Sequence, residues 1–247
     1  ASKEGGSAFM SEIHAQVILA RVETDAEKLA VLTDVLAPIE AERAQGFRQL
    51  ADRQRFVTAH GLLRAALGMK LACHPASVSL VRKPSGQWIC EGRGLHVSLA
   101  HSGKRVAVAI ADGAVGIDIE EMTGGDVLAL ARDWLTPAEA AVVAKAGPAA
   151  MEPLFLRYWT AKEAVLKAAG TGLSVPLADF CVAPPGPRPQ PITQLKPHAA
   201  LAGLAVASLP APDGYVAALS LPGGTWRIAQ RDEEAVDALA RGKEVDR

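Results

Sequence analysis

Residues 115–121 read Val-Gly-Ile-Asp-Ile-Glu-Glu, and residues 158–170 read Tyr-Trp-Thr-Ala-Lys-Glu-Ala-Val-Leu-Lys-Ala-Ala-Gly. On a strand, alternate side chains share a face, so Asp118 and Glu120 point one way while Ile117 and Ile119 point into a core. Two carboxylates on one face repel each other unless a cation lies between them. Oxygen-only ligands suit a hard ion, Mg²⁺ above all, which takes one or two carboxylates together with substrate phosphate and water. On a helix, Trp159, Glu163 and Lys167 stand at i, i+4 and i+8, along one face. Glu163 is then a candidate third ligand to the same ion, or a base. Lys167, one turn on, is a candidate to meet a phosphate or to protonate a leaving group. Lys162 adds a second ammonium beside a stripe that reads as core, where a charge without a partner is costly. His101 closes the alternating run Leu95–His101 just before Ser102 and Gly103, where a ring N–H can meet a phosphate.

Each piece also has a plainer reading. Paired acids at a strand end are commonly just solvated. A Glu-to-Lys i,i+4 pair on an exposed face contributes only ~0.2–0.5 kcal/mol. A histidine in a turn is commonly a hydrogen-bonded structural group. Glu139 closes a capping box with Thr136, ahead of Pro137, and that explains it without any chemistry. A purely structural role does not explain the charged column beside Trp159.

The elements that position these groups follow from periodicity. Residues 22–36 read as a loop and then a helix, with Leu29, Leu32, Val35 and Leu36 on one face. Residues 37–72 read as a helical pair whose longer member, Asp52 to Gly68, buries Phe56, Ala59, Leu63 and Leu67. Residues 77–90 read as strand, turn and strand, with Pro84 and Gly86 supplying the turn. Two apolar runs between 105 and 121 flank Asp112-Gly113, a hairpin signal. A helix starts at Thr136, and another runs from Glu152 to Ala169 and is stopped by Gly170 and Gly172. The Pro-rich stretch 182–197 reads as an irregular surface loop. Residues 214–221 and 225–230 read as strands, followed by a charged tail from Arg231. Phe56–Gly68 and Tyr158–Gly170 coincide at Thr58/Thr160, Ala59/Ala161, Ala66/Ala168 and Gly68/Gly170. This echo suits an α+β fold of two similar halves meeting near Asp112-Gly113.

Composition removes several function classes. The 247 residues are 49% apolar and 4% aromatic, with net charge −1. This describes a globular chain without the basic, aromatic face of a nucleic-acid binder. No apolar run approaches the ~20 residues of a membrane helix. Cys73, Cys90 and Cys181 are odd in number and unclustered, with neither zinc spacing nor a disulfide framework, which fits a reducing cytosol. The opening residues have no apolar signal core, and Met10 is the expected natural start.

In order along the chain, "SLAHSG", "VGIDIE" and "WTAKEAVLKAAG" resemble the three signature segments of the 4′-phosphopantetheinyl transferases, in their larger, single-chain, surfactin-synthetase type. "ERAQGF", "GLLR" and "RKP" upstream are similar as well, so the resemblance runs from about Arg43 to Gly172. It implies an α+β protein of two similar subdomains related by a pseudo-twofold axis, here 11–112 and 113–230 with a tail at 231–247. It also implies the reaction: the phosphopantetheine arm of coenzyme A passes to a serine hydroxyl of an apo carrier protein, releasing adenosine 3′,5′-bisphosphate. Asp118, Glu120 and Glu163 are then the acids holding Mg²⁺ (or Mn²⁺). Glu163 is also placed to take the serine proton, Lys167 to assist the diphosphate, and His101 to contact it, so that Glu163, Lys167, His101 and Asp118 form the catalytic set. Arg43, Lys83, Pro84, Ser102 and Lys162 join His101 and Lys167 as expected coenzyme contacts. The expected partners are coenzyme A and acyl, polyketide or peptidyl carrier proteins, with no nucleic acid or membrane, and the expected state is a cytoplasmic monomer. Ser98 and Ala100 replace the Asn and Ser usual before His101, so one hydroxyl contact to the coenzyme is lost. Arg82 stands where Gly is usual before Lys83, and His60 where a second Arg is common. Two other functions use the same residues: a different Mg²⁺-dependent phosphate-ester enzyme, or a module that binds coenzyme A or a carrier protein without turnover.

Overall fold

The computed structural model describes residues 12–84 and 86–231. The expected tail beyond Arg231 and the expected start at Met10 lie outside them. The first part of the chain runs β1 (Ile13–Arg21), α1 (Ala26–Asp34), α2 (Pro38–Gln45), α3 (Leu50–Leu71), β2 (Leu80–Arg82), β3 (Trp88–Cys90), β4 (Leu95–Ser102) and β5 (Arg105–Ala111). The second runs β6 (Gly116–Glu121), α4 (Val127–Trp134), α5 (Pro137–Ala144), α6 (Pro148–Ala169), β7 (Phe180–Cys181), β8 (Gln190–Pro191), β9 (Thr193–Gln194), β10 (Leu204–Leu209), β11 (Tyr215–Pro222) and β12 (Trp226–Arg231).

The strands form a six-stranded sheet in the order β12-β1-β5-β4-β3-β2, a four-stranded sheet β6-β11-β10-β8, and a small pair β7-β9. Alternation along the strands sends apolar residues to both faces of the two larger sheets. Ile18, Val106, Val108 and Val97 meet Val57, Leu62, Leu63 and Leu67 from the helices of the first half. Val206 and Ala218 meet Ala161, Val165 and Leu166 of α6. The opposite faces of the two sheets close on each other through Val17, Leu19, Ala107, Ala109, Ile117, Ile119, Leu219 and Leu221. The result is an α+β fold of four layers, helix, sheet, sheet and helix.

Three expectations change here. Asp112-Gly113 is not a hairpin: β5 pairs with β1 and β4, and β6 pairs with β11. Both edges of β5 are already occupied, so the chain passes instead from one sheet into the other. And β12, which falls within 113–230 except for its last residue, adds in parallel to β1 at the edge of the first half's sheet. The boundary at 112/113 thus follows the chain but not the sheets. The Pro-rich stretch also holds β8 and β9, two residues each, rather than being wholly irregular.

The two long helices of the sequence echo are both 22 residues. Their shared glycines have different uses. Gly170 ends α6 in the left-handed region at φ 74°. Gly68 lies inside α3, where a Cβ would strike Pro75 and the Cys73 carbonyl. The left-handed residue after α3 is Ala72.

Candidate functional site

The upper half of β4 has no β3 partner, because β3 reaches only as far as Val97. β6 lies along that open edge, joined by hydroxyls rather than by a backbone ladder. The Ser98 hydroxyl accepts the Ile117 N–H at 3.1 Å, and the Ser102 hydroxyl accepts the Glu121 N–H at 3.1 Å. Ser98, Ala100 and Ser102 alternate along one face of β4, so two struts flank a small residue. The replacement at Ser98 therefore has a structural use, while Ala100 lines the cleft. The turn beyond Ser102 is held by Gly103 at φ 52°, where a Cβ would run into the Glu121 carboxylate and the Tyr215 hydroxyl.

β6 in turn lies against α6. A Cβ on Gly116 would collide with the Ala164 carbonyl and the Ala168 amide, so strand and helix meet backbone to backbone. That approach brings the α6 charges to the β6 acids. Asp118, Glu120, Trp159, Glu163 and Lys167 line one cleft of about 550 Å³, together with His101, Arg55, Arg43 and His60 from the first half.

Asp118 is 5% exposed. Its Oδ1 accepts from Lys167 Nζ at 2.7 Å, and Lys167 also donates to the Ile117 carbonyl at 3.1 Å. Asp118 Oδ2 is buried with no partner. Burial raises the Asp118 carboxyl to about 7, with Lys167 opposing and Glu120 and Glu163 adding to the rise. Burial also raises Glu163, Lys167 opposes, and Glu120 contributes. Glu120 is held from two sides: the Ser102 hydroxyl donates to Oε2 at 2.7 Å and the Trp159 indole N–H to Oε1 at 3.3 Å. Desolvation lowers the His101 imidazole, helped by the Arg55 and Lys167 charges. Among the described residues, no group of three or more His, Cys, Asp or Glu side chains stands at metal-ligand spacing. The three acids share one cleft without forming a closed cage. Even so, their mutual repulsion and the orphaned Asp118 oxygen are features a cation would relieve.

A second cavity of about 310 Å³ adjoins the first and shares Arg43, His60, Leu99 and Lys167 with it. Arg82, Gln87, Trp88 and Gly170 complete its walls. Phe56 is central to the junction: the Arg43 guanidinium lies 5.2 Å from its ring centre, and the His60 ring stacks on it at 4.0 Å. Glu40 orients His60, with Nδ1 3.0 Å from Oε1, and also pairs with the buried Arg64. Desolvation of Glu40 is overcome by the hydrogen bonds from His60 and Arg64, which hold its carboxyl down to about 2.

The structure thus brings together Arg43, His101, Asp118, Glu120, Glu163 and Lys167. Lys162 stands elsewhere, and Lys83, Pro84 and Ser102 are not among the residues that line the two cavities. Lys162 is fully buried, with Nζ 2.7 Å from Glu139 Oε2 and donating to the Leu177 and Phe180 carbonyls at 2.7 and 2.6 Å. One residue before Glu163, it is turned about 100° around the helix, away from the cleft. Lys83 follows Arg82 at the strand end. Alternation gives the cavity wall to Arg82 and leaves the Lys83 charge beside His96, which it helps to lower after desolvation. Pro84 is an exposed turn residue, and Ser102 is engaged with Glu120 and Glu121. Glu139 is both a helix cap and an ion-pair partner: it takes the Thr136 N–H at 3.0 Å and the Val182 N–H at 2.9 Å in addition to Lys162. The sequence alone marks His60 as standing where a second Arg is common and gives Arg55 no role in the cleft. Their spacing along α3, with His60 four residues before Arg64, was the available signal.

The family model of the 4′-phosphopantetheinyl transferase superfamily matches residues 114–220, the segment carrying β6 and α6. A 4′-phosphopantetheinyl transferase of Bacillus subtilis is 29% identical over 152 residues, 60% of this chain and 67% of that protein. The 4′-phosphopantetheinyl transferase HetI of a Nostoc species is 32% identical over 153 residues, 60% of this chain and 65% of its own length. The 4′-phosphopantetheinyl transferase Sfp of Bacillus subtilis strain 168 is 25% identical over 148 residues, 60% and 66%. The matched stretch therefore spans about two thirds of each relative. Inside that stretch the acids of β6 and the Glu-Lys column of α6 face one cleft, and there the chain is similar to the 4′-phosphopantetheinyl transferase superfamily.

Proposed function

We propose that this protein transfers the 4′-phosphopantetheine arm of coenzyme A to a serine hydroxyl of an apo carrier protein. The observation that carries the reading is the convergence of Asp118, Glu120, Glu163 and Lys167 on one cleft that continues into a second cavity walled by Arg43, His60 and Arg82. Two linked volumes suit a long substrate with a nucleotide at one end and a reacting diphosphate in the middle. The serine oxygen bonds to the phosphorus that bears the pantetheine arm. The bond from that phosphorus to the bridging oxygen breaks, and adenosine 3′,5′-bisphosphate leaves with the oxygen. Glu163, whose carboxyl is raised by burial, takes the serine proton. Lys167 and His101 line the same cleft and are available to the charge that gathers on the 5′-phosphate of the leaving nucleotide. Such transfer depends mainly on positioning and charge neutralisation. Asp118, Glu120 and Glu163 would hold Mg²⁺, or Mn²⁺ in its place, which when bound supplies the remaining positive charge.

The partners on this reading are coenzyme A and acyl, polyketide or peptidyl carrier proteins. The three cysteines are free thiols, as suits a monomer working in the reducing cytoplasm. No helix among the described residues is long and apolar enough to cross a membrane. The test is intact-mass measurement on a panel of apo carriers incubated with the chain, coenzyme A and Mg²⁺. At least one carrier gains the mass of the phosphopantetheine arm. If none does, while Sfp modifies the same carriers, the reading fails.

A further inference from the structure

One fully buried, fully partnered charge on α6 has no place in the cleft. Lys162 Nζ has three partners, Glu139 Oε2 and the Leu177 and Phe180 carbonyls, and lies 4.8 Å from the centre of the Phe180 ring. Glu139 fills its remaining capacity with the Thr136 N–H and hydroxyl and the Val182 N–H. A buried ion pair is weak evidence for stability, since an apolar pair of similar volume commonly does as well. Its best-attested use is to specify register.

We propose that Lys162 and Glu139 are a positioning pair that fixes the rotation of α6 and so places Glu163 and Lys167 in the cleft. The inference rests on the reading of those two residues as transfer groups. The strip of α6 that lies against β6 is built of small side chains, while Tyr158, Val165 and Leu166 pack into the core beside it. Ala161, Ala164, Ala168 and Ala169 are all buried, and Ala164 and Ala168 meet the backbone of Gly116. Such a smooth strip permits close approach to β6, but it offers few knobs there to resist turning or sliding. The Lys162 ammonium supplies that resistance. Its partners come from three places: the first turn of α5, the Leu177 backbone and the start of β7. Lys162 precedes Glu163 directly and lies about 100° from it around the helix. A helix turned enough to break the three Lys162 contacts would carry Glu163 away from Asp118 and Trp159 away from Glu120.

The experiment compares K162M, the charge-neutral pair K162M/E139Q and the wild type. It reads the melting temperature, the kcat and KM for coenzyme A in carrier modification, and the indole N–H resonance of Trp159 by NMR. K162M strands one charge and melts well below the wild type. K162M/E139Q removes both charges, keeps an acceptor at position 139, and recovers most of that loss. The positioning role predicts that kcat of the pair nonetheless stays down about 100-fold, the scale of an ångström misplacement. KM for coenzyme A stays within about threefold, because the first half supplies much of the binding wall, and the Trp159 resonance is displaced. A pair variant with wild-type kcat and an unmoved Trp159 resonance overturns the proposal and leaves a purely structural ion pair. Should the pair variant not fold, E139D keeps the charge and draws Lys162 by about one methylene. A displaced resonance there supports the proposal and an unmoved one overturns it. If the wild type modifies no carrier, the transfer reading fails, and the Trp159 resonance still decides whether the pair sets α6.

Discussion

Two lysine–carboxylate pairs sit on one helix, five residues apart, each with an N–O distance of 2.7 Å. Lys162–Glu139 is closed: both side chains are buried, and every donor and acceptor has a protein partner. Lys167–Asp118 is open: the lysine side chain is 29% exposed, and one carboxylate oxygen is buried with nothing to bind. The first arrangement holds structure together. The second is a charge arrangement that a ligand would complete. Pair distance alone does not separate a structural contact from a functional one. Unmet capacity at a cleft wall does.

Breaking the closed pair gives the largest effect. K162M leaves the Glu139 charge uncompensated and should cost about 3–5 kcal/mol of stability, the scale for halving a buried ion pair. Urea unfolding followed at Trp159 measures it, and a loss below about 1 kcal/mol would mean that the pair is not buried as described. Breaking the open pair should show the reverse profile. K167M is expected to lower kcat/KM for carrier modification by about 10²–10³-fold, comparable to removing a donor to a developing anion. Its stability should change by less than about 2 kcal/mol. Asp118, already raised to about 7, takes up a proton rather than standing charged and alone. If K167M unfolds while K162M stays active and stable, the comparison is reversed.

The same contrast shows what the sequence made legible. Period two on β6 and period 3.6 on α6 were enough to place Asp118, Glu120, Trp159, Glu163 and Lys167 on faces, and those faces meet. Capping chemistry was enough to start α5 at Thr136 and end α6 at Gly170. Lys162 was the failure. Matching a motif position says which residue stands there but not which way it turns, and the partners that hold it, Glu139, Leu177 and Phe180, are 15 to 23 residues distant in sequence. Asp112-Gly113 failed for a related reason. A turn dipeptide fixes local geometry, while the partners of β5 come from β1 and β4, which no local signal reports. Lys83 stands one residue past the Arg82 that lines the cavity, because strand parity at a turn is fixed by its end and not by its composition.

A third charged group lies between the two extremes and sharpens the comparison. Glu40 is well partnered, like Glu139, but through His60 it borders the cleft, like Asp118. Its carboxyl is depressed from the ordinary 4.5 to about 2, so the unfolded chain binds the extra proton between those values. The stability it contributes is fully present above about pH 4.5 and is lost as pH falls toward 2. It amounts to roughly 3 kcal/mol at most if the whole shift is realised. In E40Q the acid limb of the stability curve should flatten over that window. A limb as steep as in the wild type would assign acid unfolding to other carboxylates.

The smallest expected effect tests the strut between the halves. Ser102 donates to Glu120 and accepts from the Glu121 N–H, and Trp159 holds the other Glu120 oxygen. S102A leaves one backbone N–H unmatched and Glu120 held from one side only. The loss should be about 0.5–1.5 kcal/mol in stability. The rate should fall by about three- to tenfold, since 1.4 kcal/mol is tenfold. S102T restores the hydroxyl and should recover most of both. Ser102 touches Glu120 directly, and a role as support for it is separable from a contact to coenzyme A. In S102A, then, the fall should appear in kcat with KM for coenzyme A unchanged. A rise in KM at constant kcat would return Ser102 to the coenzyme wall.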